Sequence, residues 1–160
     1  MDIHIRWMLR RDMPKVLGIE AESFKFPWLE ESFICCLRQI NSIGMVVEYN
    51  NRVVGFMLYD LNKEDIRLLR LAVLPKYLRR GIGTKMIDKL KTKLNPDRRH
   101  TLIINVPDNL LGAHLFFQAM GMRAVEVFES EYVFEYVHPE LSGPLFDAVE
   151  EARKAIRKRT

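Results

Sequence analysis

The sequence predicts a mixed α/β sandwich, a central sheet with helices packed against it, and three observations predict it. Short runs of alternating apolar and polar residues are separated by turn residues, as half-buried strands require. Longer stretches carry apolar residues at helical spacing. Thr101 to Val106 is almost continuously apolar, the pattern of a strand covered on both faces. The resulting order is β-α-α-β-β-β-α-β-α-β-β. At 160 residues the chain is one domain with room for a real core.

Met1 to Arg10 forms the first strand, with Ile3 and Ile5 alternating with polar residues. Asp12 is the expected N-cap of a helix with Pro14 in its first turn and Val16, Leu17 and Ile19 as its apolar positions. Ser23 to Trp28 breaks that helix, and a second follows from Leu29 to Ile40 with Phe33, Ile34 and Leu37 on one face. Ile43 to Tyr49 and Val53 to Tyr59 make a hairpin around Asn50-Asn51, a good turn pair. Ile66 to Val73 is the next strand. A helix then runs from Gly81 to Leu94, with Ile82, Met86, Ile87, Leu90 and Leu94 at helical spacing, until Asn95-Pro96-Asp97 stops it. After the Thr101–Val106 strand, Leu110 to Met120 is a short apolar helix closed by Gly121. Ala124 to Phe128 and Tyr132 to Val137 pair across Glu129-Ser130-Glu131. The reading divides the chain into a domain, residues 1–138, and a helical extension, residues 139–160, whose stripe is Leu145, Phe146, Val149, Ala152 and Ile156. That stripe docks on the domain or on a second subunit, or the segment is a free tail. The apolar strand Tyr132 to Val137, taken as a sheet edge, and this helix are the features that would support a homodimer.

The chemistry concentrates in Leu71 to Thr84, where a strand enters a basic loop and two glycines open a helix. The first N–H groups of a helix lack intrahelical partners, and the helix dipole adds partial positive charge there. Gly81 and Gly83 have no Cβ, which lets anionic oxygens approach the main chain. Lys76, Arg79 and Arg80 add charge, and each charge-assisted hydrogen bond is worth ~1.5–3 kcal/mol. The segment is thus a seat for a diphosphate. It is not a P-loop, since Thr84-Lys85 follows Gly83, and Met86 replaces the third glycine of a dinucleotide fingerprint.

The net charge is +4, with a basic stripe between Lys76 and Arg99. Without aromatic interleaving, zinc spacing or a helix-turn-helix pattern, nucleic acid is an unfavoured partner, and a phosphorylated cofactor accounts better for the stripe. No run of about 18 apolar residues suggests a membrane span, and the N-terminus lacks a signal pattern, so a cytoplasmic location is expected. Cys35 and Cys36, adjacent in a helix, offer neither a disulfide framework nor a metal set and fit a reducing compartment.

The segment Leu78-Arg79-Arg80-Gly81-Ile82-Gly83 resembles the acetyl-CoA pyrophosphate loop of the GNAT superfamily of N-acetyltransferases, Gln/Arg-x-x-Gly-x-Gly/Ala, with Leu78 at the Gln/Arg position. The element order from Ile5 to Val137 is similar to that fold, whose central sheet is mostly antiparallel and flanked by helices. Glu20, Phe24, Pro27, Trp28 and Phe33 resemble the RimI branch of protein N-terminal acetyltransferases. Ala113 to Met122 is similar to the family's Ala-x-x-Leu-Tyr-x-x-x-Gly-Phe helix. The resemblance implies acetyl-CoA as cosubstrate, held by Leu71, Ala72, Val73, Arg79, Arg80, Gly81, Ile82, Gly83, Thr84, Asn109 and Phe117. The family's pantetheine-binding Asn falls on Leu110, with Asn109 adjacent.

The family's general acid, a Tyr, falls on Phe117, which has no proton to give, and its Glu base falls on Asn105. The loop between the last two strands, long and Tyr-bearing in RimI-like enzymes, is short here. His114, one helical turn before Phe117, is a candidate base or water-gathering group, or a solvent-facing histidine. Tyr132 and Tyr136 are candidate acids or plain strand aromatics. Arg70 attracts an acidic acceptor or lies on the sheet's outer face. The resulting expectation is an N-acetyltransferase acting on a protein N-terminus or a small low-pKa amine. The alternative is a catalytically impaired acetyl-CoA-binding sensor or interaction module.

Overall fold

A computed structural model describes residues 2–141, 148, 151, 152 and 154–157. Its seven strands are β1 Ile3–Trp7, β2 Ser42–Tyr49, β3 Arg52–Leu61, β4 Asp65–Val73, β5 Thr101–Pro107, β6 Arg123–Phe128 and β7 Glu131–Val137. They form one sheet in the order β1-β2-β3-β4-β5-β7-β6. Only β4 and β5 run parallel; every other neighbouring pair is antiparallel. This is the mixed, mostly antiparallel sheet that the sequence predicts. Helices α1 Met13–Ser23 and α2 Glu30–Leu37 cover one face, and α3 Ile82–Thr92 and α4 Leu111–Ala119 cover the other.

Each face has its own core. Met86, Ile87 and Leu90 of α3 and Phe117 of α4 pack on Met57, Leu68, Leu102, Ile104 and Phe134. Val16 and Ile19 of α1 and Phe33 of α2 pack on Val46, Phe56, Leu58 and Ala72. Full burial of one such side chain contributes about 1.5–3 kcal/mol, so these stripes decide which way each strand faces. The β2–β3 turn has φ of 50° at Asn50 and 67° at Asn51, both left-handed as a tight hairpin turn demands. Helix α4 closes on Gly121, with φ 85°, and the Met122 N–H donates to the Phe117 carbonyl at 3.0 Å.

Two expectations need correction. Asp12 does not cap α1: it is helical itself, and its carboxylate accepts the Leu9 N–H at 2.7 Å and both Arg6 guanidinium nitrogens at 2.8 and 2.9 Å. The Arg6 guanidinium holds the Asp12 carboxyl below the usual carboxylate range. The strand Tyr132 to Val137 is no edge, because β7 lies between β5 and β6; the sheet ends in β1 and β6. In the extension, the described residues Ala148, Glu151, Ala152 and Lys154 to Arg157 are helical, but Ile156 of the expected stripe is 64% exposed. Lys154 and Arg157 border the sheet there instead. Leu145, Phe146 and Val149 lie outside the described residues.

Candidate active site

The site begins where the sheet comes apart. Strands β4 and β5 pair only from Asp65↔Thr101 to Leu68↔Ile104 and then diverge. At that point β4 carries a bulge: Leu58 opposes Arg70 while Tyr59 opposes Leu68, leaving Leu69 as the extra residue. A bulge turns consecutive side chains onto one face and sharpens the local twist. Leu69 and Arg70 accordingly both face α1, while Leu68 and Leu71 face α3. Beyond the bulge the Leu74 N–H donates to the Val54 carbonyl at 2.8 Å. Alternation along an antiparallel pair then turns the N–H and C=O of Leu71 and Val73 away from β3, into the gap.

The gap opens into a cleft of about 830 Å³ between β4, the end of α1, the start of α3, and α4. Its walls take Leu71, Ala72, Val73, Arg79, Gly81, Ile82, Gly83, Thr84 and Phe117 of the residues expected to bind cofactor; Arg80 and Asn109 stand outside it, and Leu110 lines it. Arg79 has φ 62° and Gly81 φ 81°, so two left-handed residues flank Arg80 and curl the loop. The first intrahelical bond runs from the Lys85 N–H to the Gly81 carbonyl at 3.1 Å, which leaves the N–H groups just before it for a ligand. A Cβ on Gly81 would meet nothing within 4 Å, so that position is open to an approaching anion. Gly83 has a further role: a Cβ there would lie 3.1 Å from Cζ of Phe116. It lets α4 close onto α3 and so forms the cleft wall. Arg80 rests over the rings of Tyr77 and Tyr49, 5.2 and 5.8 Å from their centroids.

The candidate catalytic residues do not converge. His114 and Tyr132 are together, ring centroids 5.0 Å apart, but neither lines the cleft. The His114 Nε2 lies 2.9 Å from the Pro107 carbonyl, which fixes Nε2 as the donor and leaves Nδ1 as the acceptor. His114 also stands edge-on to Phe134, so it joins α4 to β7. Tyr136 packs beneath the Lys91 ammonium, 4.3 Å from its ring centroid. Asn105 lies across the sheet, exposed in a second hollow, 3.4 Å from Nη1 of Arg67. Phe117 is 4% exposed and occupies the cleft wall as an apolar surface.

The model of the acetyltransferase (GNAT) family matches residues 5–122. The chain belongs to that family. Acetyl-CoA is its cosubstrate, and the fit lies in the open backbone seat at Gly81 and in the hydroxyl of Ser23, which borders the cleft and is the one buried side-chain polar atom without a partner among the described residues. The [ribosomal protein bS18]-alanine N-acetyltransferase of Escherichia coli K12 is 22% identical over 121 residues, 76% of this chain and 81% of that one. Among solved structures, Ard1 of Thermoplasma volcanium superposes with a TM-score of 0.76 at 18% identity, covering 86% of this chain and 98% of that one. The PaiA N-acetyltransferase of Thermoplasma acidophilum, in complex with coenzyme A, gives 0.72 at 16% identity, with 86% and 99% covered.

Within this GNAT fold, the residues from Glu20 to Phe33 gain a physical explanation. Glu20 is fully buried; its carboxylate pairs with Nη2 of Arg70 at 2.6 Å and accepts the Trp28 N–H at 2.8 Å. The Arg70 guanidinium lies 3.9 Å from the Phe24 ring centroid and 4.9 Å from that of Trp28. The cluster ties the α1–α2 connection to the bulge of β4, and Arg70 is thereby committed to Glu20 rather than to an acceptor. Sequence reasoning missed Ser23 and Arg67. Neither belongs to a motif, and only the path of the chain brings them to the cleft and to Asn105.

Proposed function

We propose that this protein transfers the acetyl group of acetyl-CoA to the α-amine of a protein N-terminus or to a small amine of comparable pKa. The observation that carries this reading is the chemistry of the gap. Leu71 and Val73 direct main-chain N–H groups into it, suited to hydrogen-bond a thioester oxygen as it gains charge. Among the described residues, no carboxylate or imidazole lines the cleft beside Phe117 apart from Glu22 at its rim. Acceleration then comes from holding amine and thioester together: the amine nitrogen bonds to the thioester carbon, the C–S bond breaks, and the surplus proton on nitrogen passes through solvent to the departing thiolate.

Such a site selects amines that are already neutral. An α-amine with a pKa near ~8 is roughly one-tenth to one-quarter neutral at about pH 7–7.5, whereas a lysine near ~10.4 is neutral at about one part in a thousand. The relative named for alanine N-acetylation of ribosomal protein bS18 supports the same class of acceptor. The free thiols of Cys35 and Cys36 support a cytoplasmic setting, and no helix among the described residues is long and apolar enough to cross a membrane. Competition within one peptide that carries both amines tests the proposal. The N-terminal product should form at least about a hundredfold faster than the lysine product at neutral pH, and its rate should rise with pH until the α-amine is neutral. Faster modification of the internal lysine would overturn it.

A second reading rests on Phe117 and Asn105: a protein that holds acetyl-CoA without turnover. Single-turnover transfer decides between the two, because a pure binder retains the thioester when acceptor is added.

A further inference from the structure

We propose that Arg67 and Asn105 form a carboxylate-binding site at the apex of the gap, and that the acceptor carries a carboxylate within a few atoms of the amine to be acetylated. The proposal rests on the acetyl-transfer reading above and names the class of acceptor. Arg67 is half-buried on β4, and its one hydrogen bond is the long 3.4 Å contact to the Asn105 Oδ1. Arg70, farther along the same strand, is committed to Glu20, while Lys154 and Arg157 add positive charge to the hollow that Arg67 lines. No carboxylate among the described residues lies within ion-pair distance of Arg67.

Of the four acidic residues of the same hollow, none pairs with Arg67; Glu64 is exposed in the bend before β4. Asp65 accepts the Asn62 amide at 2.8 Å. Glu135 stands two strands away, beyond Ile103, and Glu126 lies on the edge strand β6. With Oδ1 turned to Arg67, the Asn105 amide presents its NH2 outward. Guanidinium and amide side by side offer donors only, which suits a carboxylate and repels an ammonium.

The register fixes how near this donor pair is to the chemistry. Leu68↔Ile104 is the last pair before the strands part, so Asn105 is the first β5 residue at the gap, and Arg67, opposite Ile103, reaches it from two positions behind. At a rise of about 3.3 Å per residue, the carboxylate lies within roughly two residues of the amine that meets Leu71 and Val73. A carboxylate at that distance has two sources: the side chain of Asp or Glu at the start of a peptide, or the α-carboxylate of a free amino acid.

Initial rates with purified protein and acetyl-CoA test this on matched acceptors. Peptides carry Asp or Asn at the first, second or third residue, and a free amino acid is set against its amide. At low ionic strength at least one acidic acceptor should exceed its neutral partner about ten- to a hundredfold in kcat/KM, chiefly through KM. Which pair responds identifies the source. In Arg67→Gln the ratio should fall to near one while acetyl-CoA affinity, measured by calorimetry, stays in place. In Arg67→Glu it should invert in favour of a Lys-bearing peptide. The proposal is overturned if no wild-type pair differs, or if the preference survives Arg67→Gln. Either result leaves acetyl transfer to neutral acceptors standing, whereas absence of transfer to every acceptor with acetyl-CoA bound overturns the functional reading itself.

Discussion

The two sides of the gap between β4 and β5 are built from different materials. The side proposed to hold the cofactor is made of main chain: the N–H groups of Leu71 and Val73, the curled loop at Arg79 and Gly81, and the open start of α3. The side proposed to meet the acceptor is made of side chains drawn from distant segments, with Arg67 on Asn105 and, supporting the connection beside it, Glu20 on Arg70. Main-chain donors exist at every residue, so a constant ligand can be held while the local side chains change. Leu78 and Leu110 occupy positions where the family has polar residues, and the backbone seat forms regardless. Side chains carry the selectivity instead, and single substitutions should therefore weigh more heavily on the acceptor side.

The largest effect should come from Glu20→Ala. It strands the half-buried Arg70 guanidinium and the Trp28 N–H, and since breaking a fully buried pair from one end typically costs about 3–5 kcal/mol, up to about that much should be lost in urea unfolding. Glu20→Gln should recover part of it, since an amide oxygen still accepts the Trp28 N–H. At temperatures where Glu20→Ala remains folded, acceptor KM should rise more than the acetyl-CoA dissociation constant. Equal losses on both ligands would erase the distinction between the two sides.

Next in size is Phe117→Tyr, which places a phenol in the cleft wall where the leaving thiolate needs a proton. A well-placed general acid contributes ~10²–10⁴-fold, so a gain of at least about tenfold in kcat is expected below the tyrosine pKa of ~10. The gain should fade as pH rises through that value, because the phenolate has nothing to donate. An unchanged kcat would show that the thiolate departs without help and that the backbone side alone suffices.

What was legible in the sequence follows the same division. The strand, loop and glycine order announced the cofactor seat because its physics is local: a turn, a helix start and a left-handed residue within a few positions. The Asn50-Asn51 turn was legible for the same reason. Asp12 misled because a capping residue and an ion-pair partner look alike in sequence, and Arg6 on β1 outcompeted the helix for its carboxylate. That the missing Cβ of Gly83 also accommodates Phe116, from another helix, was not legible. Counting along β5 found Asn105 but not which face it takes or that Arg67 meets it. The position of β7 inside the sheet depends on β6 folding back outside it, which no local pattern encodes.

The smallest effect is the most diagnostic, because its two readouts should move in opposite directions. Ser23 ends α1 at the cleft, and its buried hydroxyl has no partner among the described residues. Burying a hydroxyl without a hydrogen bond costs about 1–3 kcal/mol on protein scales, so Ser23→Ala should leave unfolding stability unchanged or raise it by up to ~1 kcal/mol. If the cleft ligand supplies the missing partner, the same substitution should weaken acetyl-CoA by about two- to tenfold, the worth of one neutral hydrogen bond. Calorimetric titration with acetyl-CoA and with free CoA locates that partner. A loss confined to acetyl-CoA puts the hydroxyl against the acetyl oxygen, and an equal loss on both puts it against the pantetheine arm. No loss on either removes Ser23 from the cofactor side and leaves that side wholly to the main chain.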